Sequence, residues 1–166
     1  GSEVCIRDIL SAMEISIAYI IGGTVRGTVN GILVMLLGVI LIDMPVHQPL
    51  ATIGFIIMVS WAFASMGLVL GQLSDSWDQL ALMQNFFLTP LSFLGGVFYS
   101  VNMLPDWAKT LSFFNPIYYM INGIRFTILG VADSPPMTSF TMALIMTIFF
   151  SVSAIILMHS GRKIKQ

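Results

Sequence analysis

Residues 50–73 read LATIGFIIMVSWAFASMGLVLGQL and contain no charged side chain. The hydrocarbon core of a bilayer is about 30 Å thick, so about 20 apolar residues cross it as a helix. Inside lipid the backbone must satisfy its own hydrogen bonds, which makes a helix the expected conformation. This stretch therefore predicts a transmembrane helix and an integral membrane protein.

The composition of the whole chain agrees with that prediction. Hydrophobic residues make up 57% of the 166 residues and charged residues 9%, with a mean hydropathy of +0.92. A soluble domain carries about 25% charged residues, so a water-soluble globular enzyme and a disordered chain are excluded. The net charge of -1 means that the chain has no overall positive potential to attract nucleic acid, so nucleic-acid binding is not expected. The single cysteine, Cys5, excludes an internal disulfide and a cysteine-rich metal site.

Three further apolar stretches predict transmembrane helices, at residues 15–42, 79–100 and 137–159. The basic tail at residues 160–166 is expected in the cytoplasm by the positive-inside rule. With four spans, both visible termini lie on the cytoplasmic side.

The outer segment at residues 104–129 is hydrophobic but contains two helix starts, Pro105-Asp106 and Asn115-Pro116. The second helix would be about 21 Å long, too short to cross the membrane. The predicted fold is therefore an all-α integral membrane protein with four transmembrane helices and a pair of short outer re-entrant or interfacial helices.

Arg26 is a charge within the first predicted span, and intramembrane charges are candidates for function. If the excess length of that span lies on the cytoplasmic side, Arg26 sits about 10 Å inside that surface. Snorkelling or an internal salt bridge is then favoured over a direct role in transport.

The third predicted span contains Pro90, with the polar Asn85 before it and Gly95-Gly96 after it. A static kink and a hinge or cavity wall are equally supported.

Arg125, in the outer segment, is expected to pair with Asp106 or Asp133 rather than to face lipid headgroups.

Glycines recur every fourth residue in two spans, a spacing that favours close helix packing over a sliding seam. They are Gly23, Gly27 and Gly31 in the first span and Gly67 and Gly71 in the second. Asp75 and Asp78 indicate helix capping rather than a catalytic pair. The sequence contains no P-loop, and no catalytic or metal-binding residues are predicted.

Three motifs occur in order along the second half of the chain: FLTPLSFLGGVFYS at 87–100, LPDW at 104–107 and NPIYYMINGIR at 115–125. Together they resemble the membrane subunit of bacterial ABC-2 type transporters. The stretch GGTVRG at 22–27 is also similar to this family. The resemblance covers nearly the whole chain.

The resemblance implies six spans in the whole subunit, of which the four here correspond to the third to sixth, a C-terminal portion. Residues 1–14 then correspond to the cytoplasmic coupling segment, with Arg7, Asp8, Leu10 and Glu14 as the ATPase-coupling residues. The re-entrant motif corresponds to Pro105, Trp107, Asn115, Pro116, Tyr119 and Arg125. The gating candidates within the membrane are Arg26, Asn85, Pro90, Gly95 and Gly96.

The function that the resemblance implies is that of a permease subunit of an ATP-driven exporter in the bacterial inner membrane. Its substrate would be amphiphilic, lipid-linked, polysaccharide or drug-like. Its partners would be an ABC ATPase, which holds ATP and Mg, a second permease copy and membrane lipids. The chain itself needs no cofactor. Two alternatives stay open: a four-span scaffold or channel that acts without ATP, and a membrane-embedded lipid enzyme.

Overall fold

A computed structural model describes the backbone of residues 11–164 and the side chains of residues 11–160. Within these residues the fold is helical and contains no strand, as the predicted class requires. Seven α-helices follow one another, with one π-helical and one 3-10 segment between them. They are α1 (Ala12–Ile42), α2 (Pro49–Leu73), α3 (Trp77–Met83), the π segment (Gln84–Leu88), α4 (Thr89–Leu94), the 3-10 turn (Val101–Met103), α5 (Asp106–Phe113), α6 (Pro116–Leu129) and α7 (Pro136–Ile164).

Three helices in the described part of the chain are long and apolar enough to cross a membrane: Ala12–Ile42, Pro49–Leu73 and Pro136–Ser160. They coincide with the first, second and fourth predicted spans. Helix α1 begins three residues before the predicted boundary, because Ser11 and Glu14 form a capping box there.

The third predicted span, residues 79–100, differs from the prediction at its outer end. Helical backbone runs from Trp77 to Leu94, and residues 95–100 form turns instead. The helix ends here because Gly96 has a φ of 82°, a left-handed conformation that glycine adopts readily. A crossing of the membrane by this segment stays a prediction.

The π segment lies directly before Pro90. A proline ring in a regular α-helix clashes with the carbonyl four residues earlier and leaves one backbone hydrogen bond unmade. Here the backbone N–H of Thr89 donates to the carbonyl of Gln84, five residues back, so the helix widens by one residue. The predicted irregularity at Pro90 is thus a π bulge rather than a simple kink.

Helices α1 and α2 are antiparallel and pack through the glycines of α1. A Cβ added at Gly23 would lie 2.8 Å from Ala64 Cβ, and one at Gly27 would lie 2.9 Å from Ser60 Oγ. The predicted packing role of these glycines is confirmed. It is not confirmed for Gly67 and Gly71, because no described atom lies within 4 Å of a Cβ added at either position.

Helices α2 and α7 are parallel and are joined by polar side chains in the interior of the bundle. Trp61 Nε1 donates to Ser151 Oγ over 2.9 Å, and Ser65 Oγ lies 3.1 Å from the same hydroxyl. Phe55, Ala62, Met120 and Ala143 form the adjacent apolar core. Helix α6 contributes Met120 to that core and so connects the two short helices to the long ones. We call α5 and α6 the outer helices, after their predicted position.

Candidate functional site

The side chains of Arg125 and Asp133 form the centre of a polar cluster at the end of the bundle where α7 begins. Arg125, on α6, places Nη1 2.9 Å from Asp133 Oδ2, and its Nη2 donates to the carbonyl of Gly96. The two side chains are 20% and 9% exposed, respectively. Of the two carboxylates expected as partners of Arg125, it is Asp133 that forms the ion pair.

Asp133 also fixes the turn that follows α4. Its Oδ1 accepts a hydrogen bond of 2.6 Å from Ser100 Oγ, and its Oδ2 accepts one of 3.2 Å from the backbone N–H of Val101. Because one carboxylate binds α6 and the 95–101 turn together, its negative charge is compensated on several sides. We call the group Gly96, Ser100, Asn122, Arg125 and Asp133 the outer polar cluster.

Asn122 completes this cluster and was not among the predicted site residues. Its Oδ1 accepts from the backbone N–H of Asp133 over 2.8 Å, and its Nδ2 donates to Ser139 Oγ over 2.7 Å. Its side chain therefore ties α6 to the first turn of α7. The available signal was the single side-chain amide of α6, since a buried amide is expected to be hydrogen-bonded.

Asn115 joins the outer helices to the end of α4. Its Oδ1 caps α6 by accepting from the backbone N–H of Ile117 over 3.0 Å, and its Nδ2 donates to the carbonyl of Leu91. Ser112 Oγ donates to the carbonyl of Leu94 over 2.8 Å. The carbonyl of Leu94 at the C-terminus of α4 thereby gains a donor, whereas the carbonyl of Leu91 also accepts from the backbone N–H of Gly95 over 2.9 Å.

The remaining residues of the predicted outer motif lie around these two helices. Pro105 precedes α5, Pro116 opens α6, and the Tyr119 hydroxyl donates to the carbonyl of Phe113 over 2.9 Å. Trp107 is 69% exposed, as is typical of residues at a membrane interface. Two short helices are therefore present as predicted, and their re-entrant position stays a prediction.

A groove of about 440 Å³ runs along the π segment and α4. Its polar lining residues are Gln84, Asn85, Thr89 and Ser92, and we call this surface the polar groove. The apolar side chains of Leu88, Phe93, Val97 and Phe98 complete the lining. The side chains of Gln84, Asn85 and Thr89 are exposed, whereas Ser92 Oγ donates to the carbonyl of Leu88.

The predicted gating residues fall into separate places. Asn85 and Pro90 lie on or beside the polar groove, whereas Gly95 and Gly96 are buried under the outer helices. A Cβ at Gly95 would lie 2.8 Å from Ile121 Cδ1, so this glycine permits close packing of α6. Arg26 lies on α1 and is exposed.

Arg26 makes no salt bridge with any residue of the described part of the chain, so the expected internal pair is not found there.

Of the predicted coupling residues, Glu14 is exposed in the first turn of α1, and its carboxylate accepts a hydrogen bond of 2.7 Å from the backbone N–H of Ser11. Arg7, Asp8 and Leu10 lie outside the described residues, as do the side chains of residues 161–166 of the basic tail.

The family model described as ABC-2 type transporter matches residues 7–129. The chain belongs to the ABC-2 type transporter family. This match contains the polar groove, both outer helices and Arg125, and the motifs that suggested the resemblance lie within it.

Several curated proteins resemble this ABC-2 family chain. The inner membrane transport permease YadH of Escherichia coli K12 is 35% identical over 147 residues, which cover 89% of this chain and 57% of that protein. Nodulation protein J of Rhizobium leguminosarum bv. viciae is 38% identical over 69 residues, or 42% of this chain and 27% of that protein. The chain thus spans a little over half the length of YadH. No solved structure matches the chain significantly.

Proposed function

We propose that this chain forms the membrane-spanning portion of a permease subunit in an ATP-driven exporter of the bacterial inner membrane. Its ABC-2 family membership and its similarity to an inner membrane transport permease support this function. A separate ABC ATPase binds and hydrolyses ATP with Mg, and both ends of the described chain face the cytoplasm. A second permease copy completes the transport path.

The polar groove is the observation that carries this proposal. Gln84, Asn85 and Thr89 are exposed polar side chains on a segment that is otherwise apolar. Polar side chains in a membrane segment usually face a protein interior or a water-filled cavity rather than lipid. The groove is therefore suited to form one wall of a translocation path, and a second copy would supply the opposite wall.

The lining of the groove also suggests the substrate class. Amide and hydroxyl groups lie next to the rings of Phe93 and Phe98, so the surface offers hydrogen bonds beside apolar contact area. Such a lining suits an amphiphilic molecule, in which a polar part adjoins an apolar part. The lipid-linked, polysaccharide and drug-like classes each include molecules of this kind.

Coupling to ATP hydrolysis is assigned to residues 1–14, which precede and begin α1. The capping box of Ser11 and Glu14 stabilises this end of the 31-residue helix. A displacement of this segment by the ATPase would therefore move α1 as a rigid helix. We expect Arg7→Glu and Glu14→Lys to reduce the stimulation of ATPase activity by the permease. Unchanged stimulation and unchanged transport in both variants would contradict the assignment.

The groove can be tested by cysteine accessibility in intact membranes. Cys5 is first replaced by serine, because it is the only cysteine in the sequence. Asn85→Cys and Thr89→Cys are then exposed to a charged, water-soluble methanethiosulfonate reagent. We expect both to react, because the groove holds water.

Phe87→Cys serves as the matched control. Phe87 lies in the same π segment and is 67% exposed, but it does not line the groove. We expect it to react only after detergent solubilisation, when lipid no longer covers it. Equal reaction at all three positions in membranes, or none at Asn85→Cys, would contradict the proposal.

Copurification separates this function from the two alternatives. An exporter subunit is expected to copurify with a P-loop ATPase in a fixed ratio, whereas a scaffold or channel would work without one. Catalytic turnover of a lipid without any ATPase would favour the enzyme.

A further inference from the structure

Three polar side chains form a line on the exposed face of α1. Tyr19, Arg26 and Asn30 are seven and four residues apart, which places them on one side of an α-helix. All three are exposed, and none forms a side-chain hydrogen bond with another residue of the described part of the chain. Gly22 lies beside this line and has no described atom within 4 Å of an added Cβ. We call these four residues the outer stripe of α1.

The register between α1 and α2 determines the depth of Arg26. Gly23 meets Ala64, Gly27 meets Ser60 and Gly31 meets Ile56. This register places Arg26 level with Trp61, the central residue of α2. Twelve residues of α2 lie on either side of that level, a distance of about 18 Å to each end. Arg26 therefore lies near the middle of the α1–α2 pair rather than beside either of its ends.

No carboxylate of the described residues lies at that depth. The acidic residues of residues 11–160 are all found near helix ends or in the connections: Glu14, Asp43, Asp75, Asp78, Asp106 and Asp133. A second copy placed face to face on the stripe would bring another Arg26 rather than an anion. Intramembrane arginines commonly pair with an acidic residue, and here that residue would come from outside the described part of the chain.

We propose that the outer stripe of α1 binds a transmembrane helix that carries an aspartate or glutamate at mid-membrane. The carboxylate pairs with Arg26, and Tyr19 and Asn30 supply hydrogen bonds on either side of the pair. A shallow groove of about 480 Å³, lined by Ala18, Tyr19, Gly22, Gly23 and Arg26, receives the backbone of that helix. The missing side chain at Gly22 permits the close approach that such helix pairs use.

The first experiment identifies the partner by photo-crosslinking in native membranes. Asn30 is replaced by p-benzoylphenylalanine, and the crosslinked peptide is sequenced by mass spectrometry. We expect a peptide from a transmembrane helix that contains an acidic residue. The same probe at Ile21, which is 47% exposed on the other side of α1, is expected to give lipid adducts instead.

The second experiment tests the ion pair itself. Leucine inserts into a membrane more readily than arginine, so Arg26→Leu does not impair insertion of α1. We nevertheless expect this variant to lower the equilibrium constant for docking about a hundredfold, because the partner carboxylate is left without its cation. Crosslinking through Asn30 then falls to a minor fraction, and Arg26→Lys preserves most of it.

A charge exchange provides the decisive control. Arg26→Asp combined with arginine at the identified acidic position is expected to restore crosslinking, whereas each single change abolishes it. The proposal would be overturned if position 30 gave lipid adducts alone or crosslinked to a transmembrane peptide without an acidic residue. It would also be overturned by wild-type crosslinking in Arg26→Leu or by no restoration of crosslinking in the exchanged pair. The readout is helix docking rather than transport, so this result is independent of the proposed export function.

Discussion

Removal of one partner from the Arg125–Asp133 pair tests whether the outer polar cluster holds the outer helices in place. The Asp133 side chain is 9% exposed and also accepts hydrogen bonds from Ser100 and Val101. Breaking a fully buried pair by removing one partner usually costs about 3–5 kcal/mol, because an uncompensated charge remains. This pair is partly buried, so we expect Arg125→Leu to lower the free energy of unfolding by an amount near the lower end of that range.

The double variant makes this prediction specific. In Arg125→Leu with Asp133→Leu no unpaired charge remains, so the combined loss should be smaller than the sum of the two single losses. We expect a coupling energy of at least about 2 kcal/mol, well above the roughly 0.5 kcal/mol within which independent sites add. The free energies are measured by SDS titration in mixed micelles, with tryptophan fluorescence as the signal.

Asp106→Leu is the matched control, because Asp106 is an exposed acid in the first turn of α5. Its loss should cost less than about 1 kcal/mol, the usual size of a charge–dipole effect at a helix terminus. A cost below 1 kcal/mol for Arg125→Leu, or additivity in the double variant, would refute the reasoning.

Two further substitutions test how the outer helices pack. Gly123→Ala would place a Cβ against the ring of Phe55. We expect about 1–3 kcal/mol of destabilisation by SDS titration, largely relieved by Phe55→Leu, and a neutral Gly123→Ala would contradict the contact. Asn115→Ala removes the cap of α6 and the side-chain donor to the Leu91 carbonyl, which keeps the backbone N–H of Gly95. We expect a loss of about 1–2 kcal/mol in the same assay, most of it from the cap, and Asn115→Asp, which keeps the cap, should recover most of that loss.

The long helices were predictable because hydropathy alone marks them. Residues 50–73 contain no charge, and α2 occupies almost the same range. The third predicted span was only partly matched, because its apolar composition continues through residues 95–100 although the backbone turns at Gly96. Hydropathy indicates which residues are apolar enough to lie in lipid, but it does not indicate the residue at which the backbone leaves the helical conformation.

The glycine patterns show a second limit. Gly23 and Gly67 belong to the same kind of repeat, yet one contacts Ala64 and the other has no described neighbour at its Cβ position. The spacing of the glycines identifies a helix face without large side chains, but the fold determines whether another helix packs against that face. The level of Arg26 along the bundle likewise depends on the register between α1 and α2, which the sequence spacing alone does not give.

The outer polar cluster was predictable only in part. The sequence offered Asp106 and Asp133 as partners for Arg125, and the fold brings only Asp133 to it. The sequence did not indicate that Asn122 and Ser100 belong to one network, because they are 22 residues apart and are connected only through Asp133. Long-range polar networks of this kind depend on tertiary structure and not on local spacing.

The central claim is that the polar groove forms a wall of an ATP-driven transport path. Its most direct test is the reaction rate of Asn85→Cys with the charged methanethiosulfonate reagent in proteoliposomes that contain the copurified ATPase. Between the nucleotide-free and the ATP–vanadate-trapped states we expect this rate to change about tenfold or more, since a shift of about 1.4 kcal/mol between two conformations suffices. The rate at Phe87→Cys should not change. Equal rates for Asn85→Cys in the two states would contradict the account.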